Sequence, residues 1–168
     1  SQVLRTAPIE NYSVTVSSGN EKISSSTTLN YFNQSGVLVN TGVKRFSFRS
    51  NIEYRPAKWV RLGLNLAPTY QVDHNTKGGN LAINGNRQIV SGSEISSPLI
   101  SPYKADGTFN LSTTSFGMYA LPNFLQQQLN MQNNQNNIHF LGNTYLEIEP
   151  GSGLHAMTAI SGDLLTQD

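Results

Sequence analysis

The chain has 168 residues, a formal net charge of +1 and no cysteine. The cysteine count excludes disulfides and thiolate metal sites, and the near-neutral charge gives no electrostatic case for nucleic acid as a partner. Only 12% of the residues are Asp, Glu, Lys or Arg, against the roughly 25% usual in soluble proteins; Ser, Thr, Asn, Gln and Gly supply the polarity instead.

No apolar run approaches the ~18 residues of a membrane helix, and no secretory signal opens the chain. The opening SQVLRTAPIE lacks an initiator Met and leads almost directly into a strand. It predicts a processed chain or a piece of a larger one.

Residues 1–73 read as strands, because apolar and polar residues alternate with period two. In NYSVTVS, Tyr12, Val14 and Val16 share a face. The dipeptide GN then suits a tight primed turn. In EKISSSTTLNYFN, Ile23, Leu29 and Tyr31 share a face that Ser25 and Thr27 interrupt. After QSGVLVNTG, the run VKRFSFRSNIEYR sets Phe46, Phe48, Ile52 and Tyr54 against Arg45, Ser47, Arg49, Asn51 and Glu53. PAK is the next turn. WVRLGLNLAPTYQV then alternates Val60, Leu62, Leu64, Leu66, Tyr70 and Val72 with Arg61, Gly63, Asn65, Thr69 and Gln71. Pairing these last two runs places Ile52 opposite Leu62, Glu53 opposite Arg61 and Arg49 opposite Asn65, so one register serves both faces.

Residues 74–137 break the alternation with Gly- and Asn-rich stretches, a DG turn signal and LPNFLQQQLNM, which predicts a short helix near 122–131. A connection this long signals a functional loop. Residues 138–168 return to two strands joined by PGSG. The connections alternate in length: GN, PAK and PGSG are tight, while 34–42 and 74–137 are long. All tight turns therefore fall at one end of an up-and-down sheet, as in outer-membrane barrels. Each run also has about the 9–11 residues of a tilted membrane strand. Trp59 and Tyr54 at one end, with Tyr31, Phe32 and Tyr70 at the other, suit two membrane interfaces. The expected fold is all-β: antiparallel strands forming part of a large transmembrane barrel, the long loop external. A soluble sheet with one face on a core shows the same alternation, so a soluble all-β surface or periplasmic glycan-binding module stays as the alternative.

Several stretches go further. RTAPIENYSVTVSSGNEK, YFNQSGVLVNTGVKRFSFRSNIEYRPAKWVRLGLNLAPTY and FLGNTYLEIEPGSGL resemble, in order and spacing, the barrel of SusC/RagA-type TonB-dependent transporters of Bacteroidetes. LPNFLQQQL is similar to the short segment these proteins carry before a strand resuming with FLGN. The resemblance implies a bacterial outer-membrane importer of large nutrients, glycan or peptide fragments. It implies a plugged barrel of about 22 strands set in outer-membrane lipid, opened by TonB and covered by a SusD-like lipoprotein lid. No cofactor follows from it. The sequence departs from the pattern by showing no plug and no TonB-box segment, so contact with TonB would run through a missing N-terminal part.

In the barrel reading Arg45, Arg49, Glu53, Arg61, Asn65 and Glu147 are the candidates for lining the lumen. They either meet plug and passing ligand or pair between neighbouring strands, as Glu53 with Arg61 would. Glu147 and Glu149 share a face, and PGSG sets Glu147 opposite His155; wall electrostatics explains them better than acid–base catalysis. His74, His139 and His155 lack ligand spacing for a metal. In the long loop Tyr103, Phe109, Phe116 and Tyr119 are candidates for stacking on a ligand or seating a partner; they can equally form the loop's own core.

Overall fold

A computed structural model describes residues 3–75, 99–110, 123–130, 132–151 and 153–168. Its elements are β1 (Ile9–Gly19), β2 (Ile23–Ser35), β3 (Gly42–Ala57), β4 (Val60–His74), α1 (Phe124–Asn130), β5 (Asn134–Gly151) and β6 (Leu154–Gln167). The six strands form one sheet in the order β1-β2-β3-β4-β5-β6. Every strand thus pairs with its chain neighbour, the up-and-down arrangement that the alternation predicts. Strands run from 11 residues in β1 to 18 in β5, at or beyond the length that crosses hydrocarbon.

Boundaries shift at two places. β3 continues through Pro56 and Ala57, so the tight turn is Lys58–Trp59 rather than PAK. β5 begins at Asn134, inside the Asn-rich stretch that reads as loop. Polar amides are poor strand formers by propensity, yet pairing to a neighbour decides the matter: Asn136 and Asp168 exchange both backbone hydrogen bonds, at 3.0 and 2.9 Å.

Contacts divide the chain into two bodies, one of Ile9–Asn33, Lys44–Val72 and Gln135–Asp168, the other of Ser1–Pro8, Gln34–Val43 and Asp73–Asn134. The first is the sheet. Its two faces differ in kind. On β1–β2 the polar face is closed by Asn30 Nδ2 donating to Asn11 Oδ1 (2.7 Å), a Thr15–Thr28 hydroxyl pair (2.9 Å) and Ser17 donating to Ser26 (3.1 Å). The opposite face carries Tyr12, Val14, Val16, Phe46, Leu62, Leu64, Ile160 and Leu164, and all of them are exposed. Among the described residues the only buried hydrophobics are Val3, Phe124 and Leu125, in the other body. The apolar face of the sheet is covered by nothing in the described chain.

Ser25 and Thr27, the polar interruptions on that face, are satisfied locally. Ser25 Oγ donates to the Ser18 carbonyl (3.3 Å), and Thr27 shares a 3.2 Å hydroxyl pair with the buried Ser50. A hydroxyl that is already hydrogen-bonded loses little on leaving water. The interruptions are therefore compatible with an apolar surrounding.

The second body is built on polar staples. Leu4 bridges Leu38, and Arg5 donates to the carbonyls of Gly36 (3.1 Å) and Thr41 (3.0 Å). Val3 and Phe124 pack together with Leu38 against them.

Candidate functional site

The polar face of the sheet collects the charged residues, and period-two alternation is what brings them together. Toward the Lys58–Trp59 turn they form a ladder across four strands. Glu53 on β3 meets Arg55 at 2.6 Å and Arg61 on β4 at 4.0 Å. Arg61 Nη1 lies 2.9 Å from Glu147 Oε2 on β5, and the other Glu147 oxygen lies 2.7 Å from His155 Nε2 on β6. Three of the predicted lumen residues, Glu53, Arg61 and Glu147, thus form a single ion-paired row. Asn65 follows, with its amide donating to Asn143 (3.3 Å), which donates in turn to Ser161 (2.8 Å).

The pairing of Glu147 with His155 corrects the predicted register. The Cα partner of Glu147 is Met157, and the pairing shifts between Ile148 and Gly151. His155 reaches Glu147 as a diagonal neighbour on the same face, a distance that long side chains span. The correction arises beside the turn: Gly151 (φ 104°) and Gly153 (φ 76°) adopt a left-handed backbone, Gly151 pairs with Leu154, and the ladder is irregular between Ile148 and Gly151.

Tyr145 was not legible as a functional position. Its ring lies over Gly63, where an added Cβ would fall inside the ring, and its hydroxyl donates to Glu53 Oε2 (3.3 Å). One side chain thereby ties β5 across β4 to β3. The available signal was Gly63 itself, since glycine within a strand marks a close approach.

Farther along the face lies a groove of about 800 Å³ that includes Thr28, Asn30, Arg45, Ser47, Arg49 and Thr69 in its lining. Arg45 sits over the Phe32 ring, 5.2 Å from its centroid. Phe32 therefore belongs to the polar face and not to an interfacial aromatic belt. Adjacent residues of a strand point opposite ways, so Tyr31 and Phe32 cannot share one side. On the apolar side Tyr31 stacks with Tyr12, centroids 6.3 Å apart, and tilts against Phe46 at 4.8 Å.

In the second body, residues 101–110 make a small hairpin. Tyr103 bridges Phe109, their rings 5.0 Å apart. These two predicted contact residues spend much of their surface on each other; Phe116 and Tyr119 lie outside the described residues. At the hairpin tip Gly107 has φ 82°, which an L side chain adopts only with strain. Asp106 accepts from the Thr108 hydroxyl (2.6 Å) and backbone N–H (2.9 Å), and these bonds hold its pKa below the ordinary carboxylate value. A carboxyl whose pKa falls on folding stabilises the folded turn above its unfolded value and loses that contribution as pH falls through the folded one. The tip should stay closed through neutral pH and open only below about pH 4, and Asp106→Ala should open it at neutral pH. Limited proteolysis at 104–108 across pH checks both.

Asn123 caps α1 by accepting from Gln126 N–H (3.1 Å), while its amide donates to the carbonyls of Pro102 (2.8 Å) and Asn110 (2.9 Å). At the other end of α1, Asn40 (φ 58°) donates to the carbonyls of Gln128 (2.9 Å) and Leu129 (3.1 Å). Its amide oxygen lies 3.0 Å from His74 Nε2. His74 is a structural link here, bonded to Asn40 and Asn134.

Known proteins place this architecture. No family model matches the chain. Two TonB-dependent receptors of Formosa agariphila are 28% identical over 149 residues and 26% identical over 117. They cover 88% and 67% of this chain, which spans only 14% and 11% of them. The structure of the RagAB peptide transporter superposes on 99% of the chain with a TM-score of 0.75 at 19% identity. The 'open-open' state of the RagAB peptide importer gives the same TM-score. The chain is similar in sequence to a stretch of TonB-dependent receptors and has the fold of a barrel segment like that of RagAB. It spans 18% of the transporter chains it superposes on, so the segment supplies an unclosed arc of wall. Among the described residues no helix is long and apolar enough to cross a membrane.

Proposed function

We propose that the segment forms part of the wall of a bacterial outer-membrane importer of large nutrients, glycan or peptide fragments. In this reading TonB energises opening through other parts of a longer protein, and a SusD-like lipoprotein closes over the external loops. The observation that carries the reading is the uncovered apolar face. Monomeric soluble proteins rarely expose contiguous apolar patches beyond a few hundred Å², whereas here it extends over six strands, from Tyr12 and Val14 on β1 to Ile160 and Leu164 on β6. The opposite face is hydrogen-bonded and ion-paired, as a watery interior requires. The likeness to TonB-dependent receptors supports the energised mode of transport, and RagAB, a peptide transporter, supports an oligomeric cargo.

The reading predicts that the full-length protein fractionates with outer membranes, needs detergent for extraction and migrates as a heat-modifiable band. Loss of the protein, or of TonB, should abolish growth on the large substrate while sparing growth on its monomers. Expressed alone, the segment should require detergent. A folded, monomeric segment in plain buffer would sink the membrane reading and favour the soluble glycan-binding module.

A further inference from the structure

The charges on the polar face divide unevenly. Near the tight turn, Glu53, Arg55, Arg61, Glu147 and His155 neutralise one another, and His139 lies 2.6 Å from Asp163. Arg45 and Arg49 are different. Among the described residues no carboxylate pairs with either, and none lines the groove they share. Arg45 sits instead over the Phe32 ring, which fixes the side chain without cancelling its charge. In a chain that carries so few charges, two such arginines at one groove form a concentrated positive site.

Their spacing defines the ligand. Arg45 and Arg49 lie four residues apart on one strand face, about 13 Å, so they address two separate anionic groups on an extended molecule. Each guanidinium offers a planar fork matched to carboxylate or sulfate. Between and around them the wall presents hydroxyls and amides, Ser13, Thr28, Asn30, Ser47 and Thr69 among them. These groups both donate and accept, as sugar hydroxyls do. Peptide recognition asks for pockets that take alternate side chains, and the lining offers few apolar residues to build them, Phe48, Ala67 and Leu165. We propose that the Arg45–Arg49 groove is a binding subsite for an acidic oligosaccharide, one bearing carboxylate or sulfate groups at intervals along the chain. The proposal rests on the importer reading given above.

The test uses the full-length transporter in detergent, with calorimetric titration of oligogalacturonate, a sulfated carrageenan oligosaccharide, a neutral malto-oligosaccharide of equal length and hexaglutamate. Both acidic glycans should bind about tenfold more tightly than the neutral one, a preference that shrinks as salt rises. In R45Q/R49Q the preference should vanish with neutral binding unchanged, and R45K/R49K, which keeps the charge but loses the fork, should keep only part of it. Preference for one acidic glycan over the other tells carboxylate from sulfate as the natural group. Equal affinity of R45Q/R49Q and the parent for acidic glycans overturns the proposal, as does tighter binding of hexaglutamate or an absence of acidic-glycan binding. A variant that loses heat-modifiable folding instead shows the arginines holding protein, which also overturns it. Membrane fractionation and TonB-dependent growth are read on the same strains. A transporter that passes those and ignores ligand charge refutes the subsite while leaving the importer reading intact.

Discussion

Gly63→Val should cost about 3 kcal/mol of barrel stability, and its sign should reverse when Tyr145 is shortened. The Tyr145 ring occupies the volume that any Cβ on Gly63 would need, so valine must push the ring away. The displaced ring releases its hydroxyl from Glu53, which then keeps only Arg55 and the more distant Arg61. Overpacking a site of this kind costs about 1–3 kcal/mol, and losing a hydrogen bond to a charged acceptor adds about 1 kcal/mol in a partly exposed place. Tyr145→Phe isolates that second contribution. In a Tyr145→Ala background the obstruction is gone, and valine, a better strand former than glycine, should be neutral or stabilising at position 63. Urea unfolding of the full-length protein in detergent, followed by the heat-modifiable band, measures all four corners of the cycle. Equal costs of Gly63→Val in both backgrounds would show that the ring and the glycine do not interact.

Asn123→Ala should loosen α1 and the 101–110 hairpin together while leaving the sheet unchanged. Asn123 is 2% exposed and serves both elements at once. Alanine removes the cap on Gln126 N–H and the donor to the Asn110 carbonyl; the Pro102 carbonyl keeps the backbone N–H of Asn110 at 2.9 Å. A lost cap costs about 1 kcal/mol and a buried carbonyl left without its donor about 1–3 kcal/mol, so local opening should become roughly 30-fold to several hundred-fold more frequent. Asn123→Asp is the sharper experiment. Asp caps helices as well as Asn does, yet here it would turn an oxygen toward two carbonyls. Amide exchange at 124–130 and 101–110 should therefore accelerate in Asn123→Asp as well. Parent-like exchange in that variant would mean that capping alone is at work.

The sheet was legible because it obeys a local rule. Alternation places Arg45, Arg49 and Glu53 on one side of β3 and Phe46, Phe48 and Ile52 on the other, whatever else the chain does. The same rule brought Arg61, Asn65 and Glu147 to that polar face, and turn chemistry set the strand order. Where the reading failed, the missing information was nonlocal or lay in backbone detail at a turn. Phe32 was read as an interfacial aromatic although strict alternation, applied one residue further, puts it with Arg45. The Glu147–Met157 register depended on how the turn through Gly151 and Gly153 closes, which the residue types leave open.

Beyond the short helix, expected near 122–131 and found at Phe124–Asn130, the second body was scarcely legible. Asn40, His74 and Asn123 lie far apart in a Gly- and Asn-rich sequence without periodicity, and hydrogen bonds there depend on which segments meet. The sequence by itself determined the strands, their order and the division into an apolar and a polar face, because side-chain direction in a strand is set by position alone. Only the tertiary structure decided which polar groups pair: that Tyr145 crosses Gly63 to reach Glu53, that Arg61 is shared between two carboxylates, and that Arg45 and Arg49 are left without one among the described residues. Those outcomes depend on register and on side-chain reach across neighbouring strands, which a one-dimensional pattern does not contain.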